Sequence, residues 1–246
     1  MNKTRLDVRT PDGVADCVAF RPDGPGPFPS VIFYFDAGGV RPAMEEMAAR
    51  IAAQGYFVLL PNLYYRSGPF APFDTRTVFG DPAERARMGA LIRSVTPEGA
   101  VRDTTAFLDA LAEQPGVRSD RVGCVGYCMG GRMAFVMAAA LPDRIAAVAA
   151  IHAGNLVTEA PDSPHLGAPK IRARLYLGVA DNDASATPAQ QASLKAALDA
   201  ACVRYELELY SGAAHGFAVP DFTVYDEAAA ERHWERVLKL FDEELR

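Results

Sequence analysis

Gly126-Tyr127-Cys128-Met129-Gly130-Gly131 stands between a strand-like run, residues 121–125, and a helix-like run, residues 132–140. Glycine on both sides of a cysteine allows the backbone to turn sharply from strand to helix, because side chains at those positions would clash. The turn predicts a thiol raised above the edge of a sheet. It also places that thiol at a helix N-terminus, where the helix dipole favours a thiolate.

Cys128 has two interpretations. A free cysteine in a tight turn is often just a small buried hydrophobic residue. The pattern G-x-C-x-G between strand and helix is instead that of a nucleophile elbow in which cysteine replaces serine. The catalytic interpretation requires a base and an acid at matching places further along the chain.

Composition fits one α/β domain over residues 1–246 and excludes several classes of protein. A net charge of −6 without a basic stripe argues against nucleic acid as a partner. No apolar run approaches the roughly 20 residues of a membrane span, and no signal peptide is expected. Four cysteines do not suggest a disulfide framework, so we expect a reduced, cytoplasmic setting. We expect no cofactor or metal, and a monomer or homodimer.

Predicted strands and helices alternate along the chain. The predicted strands span 4–9, 14–20, 31–35, 57–60, 121–125, 145–151, 173–177 and 203–210, and the predicted helices span 44–51, 132–140, 188–201 and 224–245. The alternation predicts a mostly parallel, doubly wound sheet of about eight strands flanked by helices. Ligands of such sheets bind beyond the carboxyl ends of the strands.

A thiol nucleophile needs a general base within reach. Of the four histidines, His215 lies in a loop directly after the last predicted strand, which makes it the candidate base. His152 ends a strand and fits a pocket wall or a structural histidine equally well. His165 lies in a proline-rich loop, and His233 lies inside the last helix, where we expect it to be solvated.

The base in turn needs an orienting acid, which in α/β-hydrolases falls between nucleophile and histidine. Asp181 and Asp183 both follow the predicted strand 173–177. We favour Asp181, because this acid usually lies in the turn directly after the strand. Either aspartate alone could merely cap a turn.

Rival classes find less support in the sequence. The glycines around Cys128 lack the G-x-G-x-x-G spacing of a dinucleotide site, and there is no P-loop. No histidine and cysteine cluster has zinc spacing. Cys124 and Cys128 are poorly placed for a redox bridge. A non-catalytic small-molecule binding protein on this fold remains the alternative.

Four segments resemble the dienelactone hydrolase family, and the resemblance covers nearly the whole chain. They are 126–131, the run from Gly55-Tyr56 to Tyr64, 178–181 and 212–217. The resemblance implies an α/β-hydrolase fold and hydrolysis of esters or lactones by a Cys-His-Asp triad. Cys128 would attack the carbonyl, His215 would shuttle the proton, and Asp181 would orient His215.

The resemblance also implies an oxyanion hole and a group that activates the thiol. The backbone N–H groups of Met129 and Ala37 would form the oxyanion hole. Family members carry a glutamate that contacts the resting thiol, and Asp36 holds that position here. Asp36 is one methylene shorter, and it could instead accept hydrogen bonds within its own turn.

The positions that recognise a substrate carboxylate depart from the family pattern. Arg87 matches the first of two family arginines, although it could also be an ordinary solvated helix residue. Leu91 stands at the tyrosine position, and Val219 stands at the second arginine position. Residues 64–73, beginning with Tyr64, resemble an aromatic cap together with Phe79. We therefore expect a substrate less anionic than dienelactone, such as a neutral ester or lactone.

Overall fold

Eight strands and six α-helices make up the computed structural model, which describes residues 1–246. The strands are β1 (Asn2–Thr10), β2 (Gly13–Arg21), β3 (Phe28–Tyr34), β4 (Phe57–Pro61), β5 (Val117–Tyr127), β6 (Ile145–Ile151), β7 (Arg174–Asn182) and β8 (Tyr205–Ala214). The helices are α1 (Pro42–Ala52), α2 (Pro82–Ser94), α3 (Pro97–Ala112), α4 (Met129–Ala140), α5 (Pro188–Ala200) and α6 (Glu227–Leu245).

All eight strands join one sheet in the order β1-β2-β4-β3-β5-β6-β7-β8. β1 and β2 form an antiparallel hairpin that pairs with β4, and the strands from β4 to β8 in that order are parallel. The predicted mostly parallel sheet of about eight strands is therefore confirmed.

Helices cover the central strands on both faces, which explains why those strands are continuously apolar. The Tyr34 hydroxyl on β3 meets Thr104 of α3 at 2.7 Å. Gly123 of β5 faces the opposite side of the sheet from Tyr34. A Cβ on Gly123 would lie 2.7 Å from Leu245 of α6. Residues that alternate along a strand thus reach different helices. No helix combines the length and the apolar character needed to cross a bilayer.

The predicted alternation omits α2 and α3, whose starts are set by side-chain caps. Asp81 accepts from the N–H groups of Ala83 and Glu84, and Thr96 accepts from Gly99. Both helices have proline in the first turn, which suits a helix start because that N–H needs no partner. For α2 the signal was thus at the helix start, whereas α3 also has an apolar stripe that buries Ala100, Phe107, Leu108 and Leu111.

Four adjacent parallel strands end in the same way. β5, β6, β7 and β8 each stop one residue before a polar or nucleophilic side chain, and these side chains are Cys128, His152, Asp183 and His215. Because parallel strands present their carboxyl ends at one edge, the sheet gathers these four residues at a single place.

Candidate active site

Cys128 lies in the strained turn that the sequence predicts. Its φ of 54° is in the left-handed region that residues with a side chain rarely adopt. Its N–H donates to the carbonyl of Ile151 at 3.0 Å, which fixes the turn to β6. A Cβ on Gly126 would lie 2.1 Å from the carbonyl oxygen of Gly130, and one on Gly130 would lie 2.3 Å from that of Phe35. Both glycines are therefore required by close backbone approach.

His215 is paired with a carboxylate on its Nδ1 side. Asp183 Oδ2 lies 2.6 Å from that nitrogen. The other oxygen of Asp183 accepts from the N–H and the hydroxyl of Ser185, at 2.8 and 2.6 Å. Asp183 is buried, so its carboxylate is held by these hydrogen bonds and not by solvent. Sequence reasoning missed Ser185, which fixes the acid that holds His215.

The prediction that Asp181 contacts His215 is wrong. Asp181 is exposed, and its carboxylate accepts from the N–H of Gly212 at 3.1 Å. The reason is the length of β7, which continues to Asn182 and pairs there with Ala214. The first residue after the strand is consequently Asp183, whereas the apolar run that predicted this strand ends at residue 177.

Charges around His215 favour its protonated form. Burial lowers the pKa of His215, but the hydrogen bond to Asp183 and the neighbouring Cys128 outweigh burial and raise that pKa to about 10. Burial likewise raises the pKa of Asp183, but His215 and Ser185 outweigh it and hold that pKa below its ordinary value. At neutral pH the site therefore holds the Asp183 carboxylate and the His215 imidazolium beside Cys128.

Tyr64 joins the two residues predicted to form the oxyanion hole. Its buried hydroxyl donates to the carbonyl of Ala37 at 3.1 Å and lies 3.6 Å from the sulfur of Met129. α4 begins at Met129, and Cys128 provides no side-chain cap for it. The first N–H groups of a helix have no partner within the helix, so they can serve a developing oxyanion.

Asp36 is paired with a cation and has no hydrogen bond to Cys128, its expected partner. Arg41 Nη1 and Nη2 donate to its two carboxylate oxygens at 2.7 and 2.8 Å, and the N–H of Gly38 donates at 2.8 Å. No hydrogen bond joins Asp36 to Cys128, contrary to the expected contact with the thiol. The physical reason is that Asp36 is fully buried, and its charge requires a close counterion. Sequence reasoning missed Arg41, whose signal was a buried acid five residues away.

Arg87 lies on α2, and its hydrogen-bonding groups are engaged by α2 itself and by the cap. Its guanidinium donates to Glu84 at 3.1 and 2.6 Å and to the carbonyl of Ala71 at 2.7 Å. The guanidinium carbon lies 3.8 Å from the centre of the Phe73 ring. These contacts fasten the cap to α2, so Arg87 is not presented to a substrate carboxylate. Its predicted role as an anion-binding residue therefore lacks structural support.

Leu91 and Val219 lie inside the hydrophobic core. Leu91 is 7% exposed and Val219 is fully buried. Neither side chain could contribute a charged contact, as their apolar character already indicated. An arginine at position 219 would have to enter the core, so the departure from the family pattern is matched by the local packing.

The remaining histidines have distinct surroundings. His152 is buried, and neither of its ring nitrogens has a hydrogen-bond partner. His233 is not solvated, contrary to prediction, because α6 turns it into the core, where its Nε2 lies 3.0 Å from the Tyr127 hydroxyl. His165 Nδ1 lies 2.8 Å from the hydroxyl of Ser163.

Comparisons with known proteins identify relatives of this chain. A Synechocystis protein with the provisional name carboxymethylenebutenolidase is 28% identical over 225 residues, which cover 90% of this chain and 88% of its own. A carboxymethylenebutenolidase of Pseudomonas sp. strain P51 is 36% identical over 111 residues, covering 45% of this chain and 44% of its own. A Klebsiella pneumoniae structure provisionally described as a dienelactone hydrolase superposes with a TM-score of 0.84 over 98% of both chains, at 24% identity.

The Klebsiella structure supports the fold, while family membership follows from the sequence. The sequence model of the dienelactone hydrolase family matches residues 15–245, from the second strand to the last helix. The match contains the elbow, Asp181, Asp183 and His215. The chain is a hydrolase that belongs to the dienelactone hydrolase family.

Proposed function

We propose that this protein hydrolyses carboxylic esters or lactones through Cys128, His215 and Asp183. The observation that carries the proposal is the 2.6 Å contact between His215 and Asp183 at the sheet edge that also presents Cys128. A carboxylate on Nδ1 fixes the tautomer and ring plane of a histidine, so that Nε2 can serve the reaction. The carboxymethylenebutenolidase names of the relatives fit this type of chemistry.

The reaction proceeds in two halves. The Cys128 thiolate attacks the carbonyl carbon, a C–S bond forms, and the tetrahedral intermediate collapses to an acyl-enzyme as the alkoxide leaves. The imidazolium of His215 gives its proton to that alkoxide. Neutral His215 then removes a proton from water, which attacks the acyl-enzyme, and the C–S bond breaks to release the carboxylic acid. In both halves, the N–H groups of Met129 and Ala37 would stabilise the oxyanion.

The cations near the site favour a neutral substrate. Arg41 is shared between Asp36 and Asp221, and Arg87 is held by Glu84 and a backbone carbonyl. Neither guanidinium is available without breaking an existing ion pair. Asp36, Arg41 and Asp221 together carry one surplus negative charge, which disfavours a carboxylate nearby. We therefore assign neutral esters or lactones as the preferred class.

Variants of Cys128 test the reaction. Cys128→Ala should abolish turnover of p-nitrophenyl esters and remove the iodoacetamide label at position 128, while the exposed Cys202 can still be labelled and circular dichroism shows an intact fold. Cys128→Ser should also be poor, since a hydroxyl needs stronger base assistance than a thiol. Cys202 is an exposed cysteine away from the elbow, and Cys202→Ala provides the matched control that should keep full activity. More than a few per cent activity in Cys128→Ala would rule out this nucleophile.

The same assay separates an enzyme from a binding protein. Stoichiometric labelling of Cys128, without turnover across esters of graded chain length, lactones and dienelactones, would indicate a non-catalytic binding protein. Turnover that is lost with Cys128 supports the enzyme. The proton balance adds a second check, because each ester cleaved must release one carboxylic acid that a pH-stat can titrate.

The charge preference is tested by a substrate pair of matched shape. We expect kcat/KM for a carboxylated dienelactone to be no higher than kcat/KM for its methyl ester. Each charge-assisted hydrogen bond is worth about 1.5–3 kcal/mol, so a clamp on the anion would produce about a ten- to hundredfold preference. Such a preference for the acid would overturn the substrate class and leave the reaction class standing.

A further inference from the structure

His152 occupies the fourth strand-end position of the site. It follows β6, just as Cys128, Asp183 and His215 follow β5, β7 and β8. Its N–H donates to the carbonyl of Gly178 at 2.7 Å, which fixes this turn to β7. The position is therefore as well defined as those of the three residues assigned to the reaction.

Two unfavourable features coincide at His152. Its φ of 37° is in the left-handed region, where a side chain is strained. Its side chain is 1% exposed, and both ring nitrogens lack a hydrogen-bond partner. Buried polar atoms are nearly always paired, so an apolar residue would be the more stable choice here. Strain and unpaired polar atoms of this kind concentrate at functional sites.

The ring of His152 lies directly against the ring of His215. The two centroids are 5.1 Å apart, with the planes at 57°. Phe217 and Tyr127 pack on other parts of the same ring, at 5.6 and 5.9 Å. Their contacts leave the His152 ring little room to rotate. His215 is thus held by Asp183 at Nδ1 and by an immobile ring on its side.

Burial, more than any neighbour, keeps His152 neutral beside a charged His215, and the Asp183 carboxylate opposes it by raising the pKa of His152. Burial lowers the pKa of His152 well below its ordinary value, and the charge of His215 lowers it further. His233 of α6 also faces it and stays neutral, because burial lowers the pKa of His233 to about 3. Tyr127 on β5 is buried, which raises its pKa. Cys128 and Asp183 act on His215 and favour the imidazolium.

We propose that His152 is a positioning residue whose neutral ring, immobilised at the end of β6, fixes the orientation of His215 and stabilises its positive charge. A neutral aromatic ring within about 6 Å attracts a cation through its electron-rich face. This contact adds to the hydrogen bond from Asp183 and does not replace it. The inference rests on the proposed function of His215.

Two variants separate the aromatic contact from simple filling of space. His152→Phe keeps a ring against His215 and removes the two nitrogens, whereas His152→Leu fills the space without a ring. His165→Leu, in the short 3-10 helix Pro164–Lys170, is the matched control, because the His165 ring bonds to Ser163 and not to a site residue. Circular dichroism and thermal melting establish that each variant is folded.

The first readout is the pKa of His215, followed through its Cε1 proton resonance and assigned with His215→Gln. We expect His152→Leu to lower this pKa by about half a unit or more, the lower range of a cation–π contact. His152→Phe and His165→Leu should leave it within about 0.2 unit. An unchanged value in His152→Leu, or an equal fall in His152→Phe, would overturn the proposal.

The second readout is the kinetics. His152→Leu should lower kcat about tenfold and leave KM within about twofold, because the substrate does not contact this residue. His152→Phe should retain at least about a third of the wild-type kcat. Equal kcat in the wild type and His152→Leu would overturn the proposal. Because the resonance titration needs no turnover, it still tests the contact if the proposed hydrolysis fails.

Discussion

Arg41 donates two hydrogen bonds to Asp221, at 2.7 and 2.9 Å, across 180 residues of sequence. The same guanidinium holds the buried carboxylate of Asp36, and the backbone carbonyl of Asp221 accepts from Thr75, two residues after the 64–73 segment of the cap, at 2.8 Å. One arginine therefore connects the loop after β3, the cap and the loop that follows His215. These connections make Arg41 the central ion-pair residue beside the site.

Removing Arg41 should destabilise the protein by about 3–5 kcal/mol, because Arg41→Met leaves the buried Asp36 charge without a partner. Urea denaturation measures the loss. The double variant Arg41→Met/Asp36→Asn should recover most of it, since it removes the unpaired charge as well. Asp221 is 32% exposed, so Asp221→Asn should cost only about 1 kcal/mol. A double variant as unstable as Arg41→Met would contradict this account.

The two candidate acids should differ sharply in activity. Asp183→Asn should lower kcat about 10²- to 10⁴-fold, since the amide favours the wrong tautomer of His215. Asp181→Asn is the matched control, and we expect kcat within about threefold of wild type because its carboxylate contacts only a turn N–H. Steady-state kinetics on one ester suffices. The reverse order of effects would restore Asp181 as the orienting acid.

Stability should fall as the pH rises from about 6.5 to about 10. The folded protein keeps its proton on His215 up to a pKa of about 10, whereas the unfolded chain releases it near 6.5. The folded state therefore binds more protons in this window, and the stabilisation, complete below pH 6.5, is lost as the pH passes through the folded pKa.

Urea denaturation at several pH values checks this prediction against His215→Gln. The difference in unfolding free energy between wild type and variant should shrink as the pH rises through the window. In Cys128→Ala the decline should begin at lower pH, because one of the groups that raise the pKa of His215 is gone. A difference that does not vary with pH would argue against a protonated His215 in the folded enzyme.

Arg87→Gln should change the cap and not the charge preference. We expect kcat/KM to change by the same factor for a carboxylated substrate and for its methyl ester, because Arg87 is held by Glu84 and Ala71. The unfolding free energy should change by no more than about 1 kcal/mol, as for other exposed ion pairs. A loss confined to the anionic substrate would show that Arg87 binds its carboxylate.

The sequence predicted the sheet and the elbow because both depend on local patterns. Continuous apolar strands and paired glycines can be recognised in the sequence without knowledge of the fold. The choice between Asp181 and Asp183 failed because it depends on where β7 ends, and that is set by pairing of Asn182 with β8. Arg41 was missed although its partner Asp36 is only five residues away, because the burial of Asp36 and the contact with the remote Asp221 appear only in the folded chain.

The histidines failed for a related reason. His233 looked solvated because a helix position alone does not reveal which face is buried. His152 could be placed at a strand end, but only packing shows that its nitrogens are unpaired and that its ring lies on His215. Contacts between strand ends that are remote in sequence are not readable from either segment alone.

β5 to β8 each end one residue before a residue of the site. The number of residues in each strand must therefore be preserved more strictly than the identity of its side chains. Strand side chains alternate between faces, so a one-residue deletion inside β7 would rotate Asp183 away from His215. The loop 201–204 before β8 lies at the opposite end of the sheet and could absorb the same change. In a library of single-residue deletions, variants shortened within these strands should therefore lose hydrolysis, and variants shortened in that loop should keep it. The lengths of the strands thus set the relative positions of the catalytic residues.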